Sequence, residues 1–100
     1  MPNRKSKIEN RKSRTAADFW CVYILRCTDG TLYTGITTDL ARRCQQHNSG
    51  RGARYTRGRA PVRVEYQEQL PTQSLALKRE AEIKTLSRQA KELLIARRAA

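Results

Sequence analysis

Between Tyr33 and His47 the chain reads Y-T-G-I-T-T-D-L-A-R-R-C-Q-Q-H, which gathers a phenol, two guanidiniums and an imidazole into one short stretch. Arg43 and His47 are four residues apart, so on a helix they project from adjacent turns of one face, where an anion could touch both. A second phenol, Tyr23, lies upstream, and two carboxylates, Glu80 and Glu82, lie downstream. Together these groups make a kit for cutting a phosphodiester. Such a bond is anionic and resists attack. Its hydrolysis needs cationic donors for the developing charge, a divalent cation held by oxygen, and a group that takes the proton from water. Taken singly, each residue has a plain structural explanation, because strand tyrosines pack and helix arginines face water. The joint spacing is what points to chemistry.

The elements that must position these groups follow from periodicity. Leu32 to Thr37 alternates with period two and reads as a strand. Asp39 then precedes residues at helical spacing (Leu40, Arg43, Cys44, His47), so a helix is expected from near Thr38 to near Asn48, with the acid at its positive end. Upstream, F-W-C-V-Y-I-L-R-C at Phe19 to Cys27 is almost wholly apolar, as a strand covered on both faces should be, and is expected to be central. The turn T-D-G-T joins the two into a hairpin. A two-residue Asp29-Gly30 turn would put Tyr23 and Tyr33 on opposite faces. A three-residue loop over Thr28 to Gly30, with Gly30 left-handed, sets Tyr23 opposite Gly35 and both phenols on one face; this is the expected register.

Beyond Asn48, S-G-R-G-A-R-Y-T-R-G-R-A-P carries four arginines, three glycines and a tyrosine, and reads as a flexible basic loop suited to phosphates and a stacked base. Val62, Val64 and Tyr66 alternate with polar neighbours and predict a third strand at a sheet edge, with one polar face. Pro71 and Thr72 or Ser74 introduce a helix with an apolar stripe of Leu75, Ala76, Ile83 and Leu86, bordered by Glu80 and Glu82, between which spacing does not choose. Lys91 to Arg98 reads as a further helix after a break near Ser87 to Gln89, its leucines closing the core.

One hundred residues suit one domain, and 21 Lys plus Arg against 9 Asp plus Glu leave a net charge of +12. That balance favours polyanions, nucleic acid first. No apolar run approaches the roughly twenty residues of a membrane span, so no membrane role is expected. Cys21, Cys27 and Cys44 follow no metal-ligand spacing and the first residues lack the apolar core of a secretory signal, so free thiols and a cytoplasmic location are expected. Residues 1–17 are read as a disordered basic tail and 18–100 as the domain.

V-Y-I at Val22 to Ile24, Y-T-G at Tyr33 to Gly35, and the spacing on to Arg43 closely resemble the GIY-YIG endonuclease superfamily, in its small single-domain bacterial branch. The S-G-R-G-A-R segment and S-L-A-L-K-R-E-A-E-I-K fit the same pattern. The resemblance implies an α/β (α+β) fold with a three-stranded antiparallel sheet flanked by helices, and hydrolysis of nucleic-acid phosphodiesters with one divalent cation, Mg²⁺ or Mn²⁺. By position it implies that Tyr23 and Tyr33 are the motif phenols, one a base toward water and the other a holder of water or phosphate. Arg43 would stabilise phosphate, His47 would be accessory, and Glu80 rather than Glu82 would ligate the metal. Gly35, Arg42, Arg51, Arg54, Arg57 and Arg59 are the expected nucleic-acid contacts, with DNA preferred to RNA and no obligate protein partner. Larger members of the superfamily add DNA-recognition domains; with none read here, selection by structure or strand rather than by sequence is expected. The alternative, from another class, is a nucleic-acid-binding module that keeps the fold and cuts slowly or not at all.

Overall fold

The computed structural model describes residues 19–99; the tail expected over residues 1–17 lies outside them. In order, the chain forms β1 (Trp20–Arg26), β2 (Leu32–Thr37), α1 (Leu40–Asn48), a 3-10 turn (Arg54–Thr56), β3 (Arg63–Leu70), α2 (Gln73–Lys84) and α3 (Arg88–Ala99). The strands make one antiparallel sheet in the order β2-β1-β3. The apolar run is therefore central, and Val22, Tyr23, Ile24 and Leu25 are all buried.

The hairpin register is the one that brings the phenols together. Cys27 N donates to Thr31 O (2.8 Å) and Gly30 N to Cys27 O (2.9 Å), closing a three-residue loop with Gly30 at φ +85°. Only a residue without a Cβ adopts that conformation freely. Tyr23 consequently faces Gly35 across the ladder, and the Tyr23 and Tyr33 ring centroids lie 6.3 Å apart.

The two sheet faces carry separate cores. Val22, Ile24 and Tyr66 pack with Ala76 and Ile83 of α2 and Ile95 of α3, while Tyr23, Leu25, Cys27 and Val62 pack toward Leu40 and Cys44 of α1. Each fully buried aliphatic side chain contributes about 1.5–3 kcal/mol. α1 begins where Asp39 accepts from Arg42 N (3.1 Å), and α2 where Thr72 accepts from Leu75 N (3.1 Å).

Three expectations about the periphery are corrected. β3 lies at an edge, but at eight residues it is the longest strand and has no uniform apolar face. The pairing shifts between Ile24 and Leu25, leaving Glu65 as an extra residue, so Val64 turns toward α1 and Tyr66 toward α2 and α3. Arg26 holds the bulge through Glu65 (3.3 Å) and clamps α3 through Glu92 (2.9 and 2.7 Å). Along α2, Ala76 and Ile83 carry the buried stripe, whereas Leu75 and Leu86 are exposed. In α3, Ile95 is buried and Leu94 packs against it, but Leu93 faces solvent.

Candidate active site

Gly35 is the floor of the site. A Cβ built there would meet Tyr23 Oη at 2.6 Å and Cζ at 2.8 Å, so the missing side chain is the space the Tyr23 ring occupies. Gly35, expected to touch nucleic acid, is instead buried under that ring. The Tyr23 hydroxyl reaches across β2 to His47 Nε2 at 3.0 Å. His47 is fully buried at the end of α1, and its Nδ1 meets Thr56 Oγ1 at 2.7 Å. The segment after α1 closes over the imidazole so tightly that a Cβ on Gly52 would collide with Nδ1, Cα and Cγ of His47.

Two expectations give way here. His47 is unavailable to an anion, since both ring nitrogens are engaged within the protein. The basic loop is not free either. Gly52 and Thr56 are buried against His47, and the Asn48 carboxamide closes the loop by pairing with Val62 N (2.6 Å) and Val62 O (3.2 Å). Sequence reading passed over Gly52, Thr56 and Asn48; the one local signal was two small residues spaced among the loop's arginines.

Around this pair stand the other candidates. The Tyr33 ring lies 5.3 Å from His47 edge-on and stacks on Tyr55 at 5.7 Å, an exposed aromatic of the basic loop. Arg43 is half-buried and donates to Gln46 Oε1 (2.9 Å). Burial raises the Tyr23 phenol, hydrogen bonding from Arg43 and then its charge pull it back, Tyr33 and Glu80 add smaller upward pushes, and the net pKa is about 12. Burial, then the Arg43 charge, drives His47 down to about 4, so the imidazole is neutral near pH 7. Glu80 lies on α2, the helix packed against the other sheet face. Its side chain is 17% exposed against 54% for Glu82, which pairs outward with Arg79 (3.2 Å).

Of the expected nucleic-acid contacts, Arg42, Arg51, Arg54 and Arg57 are exposed. Arg59 is turned back onto the hairpin. It lies 3.8 Å from Asp29 and 3.4 Å from Thr31 Oγ1, with its guanidinium 4.2 Å over the Tyr55 ring. Glu80 fits a hard divalent cation: Oε2 meets Lys84 Nζ at 3.1 Å, and Oε1 carries no hydrogen bond among the described residues. Among those residues no three His, Cys, Asp or Glu side chains gather to cage a metal, so a cation held there would draw on water and substrate oxygens, as Mg²⁺ does.

The family model for the GIY-YIG catalytic domain matches residues 19–93. The chain belongs to the GIY-YIG family. Its relatives include a UPF0213 protein of Natronomonas pharaonis, 53% identical across 81% of this chain and 94% of the relative. Another is a UPF0213 protein of Staphylococcus saprophyticus, 55% identical across 74% and 90%. Among solved structures, the solution NMR structure of UPF0213 protein BH0048 from Bacillus halodurans matches with a TM-score of 0.52 and 49% identity, over 78% of this chain and 83% of that one. That of EF2693 from E. faecalis matches with a TM-score of 0.56 and 40% identity, over 82% and 88%. This GIY-YIG chain therefore carries the fold of an endonuclease family, and no described helix is long and apolar enough to cross a membrane.

Proposed function

We propose that the protein is a metal-dependent endonuclease that hydrolyses DNA phosphodiesters, selecting its target by strand or structure rather than by sequence. The observation that carries this reading is the buried Tyr23–His47 pair set beside Arg43 and Tyr33.

Tyr23 is the phenol with a proton acceptor behind it. An isolated hydroxyl of raised pKa is a poor base near pH 7. Backed by a neutral imidazole, its oxygen takes the proton from the attacking water as its own proton passes to His47 Nε2. Water oxygen bonds to phosphorus and the bond to the leaving oxygen breaks. Arg43 faces the developing negative charge, and the half-buried Tyr33 orients water or a phosphate oxygen. A cation on Glu80, Mg²⁺ or Mn²⁺, would supply further positive charge beside the phosphate. Arg42, Arg51, Arg54 and Arg57 suit backbone phosphates, contacts that fix register and carry no base information, which supports cutting without sequence preference. The free thiols of Cys21, Cys27 and Cys44 support a cytoplasmic setting.

The test is cleavage of branched, nicked and single-stranded DNA with Mg²⁺ or Mn²⁺ by the native chain, Tyr33→Phe and Glu80→Ala. Both variants are expected to bind DNA as the native chain does while cutting at least about a hundredfold more slowly. Equal binding by all three with no cutting of any substrate would replace the nuclease by a binding module.

A further inference from the structure

We infer that Thr56 is a positioning residue that holds His47 in a single tautomer, with the proton on Nδ1 and Nε2 left open to the Tyr23 hydroxyl. The inference rests on the reading of Tyr23 and His47 as a pair through which a proton passes.

A neutral imidazole carries one N–H, and its position follows from what the other nitrogen faces. Thr56 is fully buried, and its single hydroxyl hydrogen has two possible destinations: Ala53 O at 2.8 Å or His47 Nδ1 at 2.7 Å. In the first case Nδ1–H donates to Thr56 Oγ1, Thr56 donates to Ala53 O, and Nε2 accepts from Tyr23 at 3.0 Å. Every side-chain hydrogen then has a short partner. The one loss is a 3.4 Å approach of Ala53 N to Nδ1.

In the second case Nδ1 accepts from Thr56 and Nε2–H donates to the Tyr23 oxygen. In the free protein the Tyr23 hydroxyl hydrogen, on a residue 1% exposed, then has no acceptor among the described residues. Leaving a buried hydroxyl unpaired costs more than a 3.4 Å contact returns. The first network is therefore the one the geometry selects.

The consequence for proton flow is directional. With Nδ1 protonated, Nε2 is a vacant acceptor and the Tyr23 oxygen is free to receive a proton as its own departs. The imidazolium so formed keeps Nδ1–H on Thr56, whose oxygen accepts in both states. With the tautomer reversed, Nε2 is already occupied and the phenol has nowhere to send its proton. Ala53 N–H is placed to favour that reversed state as soon as the Thr56 hydroxyl is gone. Thr56 touches neither phosphate nor water in this scheme; it acts through the ring.

His47 is the only histidine, so its ring nitrogens are assigned without ambiguity by long-range ¹H–¹⁵N correlation NMR on the full chain near neutral pH. The native protein is expected to show a protonated Nδ1 and a bare Nε2; a protonated Nε2, or fast exchange between the two forms, overturns the inference. Thr56→Val keeps the side chain's shape and removes the hydroxyl. It is expected to move the proton toward Nε2, while Thr56→Ser keeps it on Nδ1. For cleavage, Thr56→Val is expected to lower kcat at least about tenfold with KM for DNA unchanged, and Thr56→Ser to restore it. A valine variant that retains the native tautomer refutes the role of the hydroxyl. An Nδ1-protonated ring in a native chain that cuts no DNA sinks the nuclease and leaves the Thr56 assignment standing.

Discussion

Acidification tests the burial of His47 quantitatively, through a window that opens above the ordinary carboxylate range. In the unfolded chain the imidazole titrates at its ordinary 6.5, whereas burial holds it at about 4 in the fold. Between those values the unfolded chain binds a proton that the folded one refuses. Stability is therefore fully present above pH 6.5 and is lost as pH falls toward 4. The linkage gives a loss of about 1.3 kcal/mol between about pH 7.5 and 5.5, growing to about 2.5 kcal/mol at about pH 4.5. Glu65, Glu68 and Glu92 all have lowered carboxyl pKa values, Glu92 falling to about 2 beside Arg26. Their stabilisation is retained above the ordinary carboxylate value of 4.5 and is lost only below it, so they are silent at about pH 5.5. Urea denaturation followed through Trp20, the single tryptophan, reads the effect directly. His47→Gln provides the control, since it removes the titrating group and should leave stability flat over the same interval. A native chain whose stability changes by less than about 0.5 kcal/mol to pH 5.5, or a variant that falls as steeply, would refute the placement of a neutral, water-excluded imidazole.

Gly35→Ala should push the Tyr23 ring off its seat and away from His47, costing about 1–3 kcal/mol in urea denaturation and slowing cleavage with little change in DNA binding. Asn48→Ala removes both bonds to the Val62 backbone and leaves buried groups unpaired; a loss of about 1–3 kcal/mol is expected, with hydrogen exchange at the Val62 amide accelerated first.

The framework was readable in the sequence because its signals are local. A continuous apolar run marked the central strand, and Gly30 in T-D-G-T set a register that delivered both phenols to one side. Asp39 marked where α1 starts, although the helix opens at Leu40, two residues beyond Thr38. What escaped was tertiary. Val62, Val64 and Tyr66 look like one alternating strand face; the Glu65 at the bulge that divides them bonds Arg26, 39 residues away, as well as its neighbour Arg63. Leu75 and Leu86 were joined to the stripe of Ala76 and Ile83 because spacing along a helix does not say which of two adjacent rows meets the sheet. At the site, spacing aligned Arg43 with His47 but gave no depth. The wall that hides the imidazole comes from Gly52 and Thr56, whose role is set by a fold-back that carries no periodic mark. The glutamates were ambiguous from periodicity alone, and their different exposures come from how α2 rotates against the sheet.

The carboxamide of Asn48 does more than hold a strand end. By bonding the Val62 backbone it cinches residues 49–61 into a closed ring, which Thr28 ties to the hairpin by donating to Arg59 O (2.9 Å) and Pro61 O (2.9 Å). Within that ring the arc from Gly52 to Thr56 is pinned to the imidazole, and Gly58, at φ +76° and exposed, sits in the turn through which Arg59 N donates back to Thr56 O (3.1 Å). Extra residues spliced in beside Gly58 would enlarge the arginine-bearing rim but would also open the turn that anchors Thr56 against the imidazole. Rim and imidazole seat therefore share one closed segment, and a change of length in the first is felt at the second.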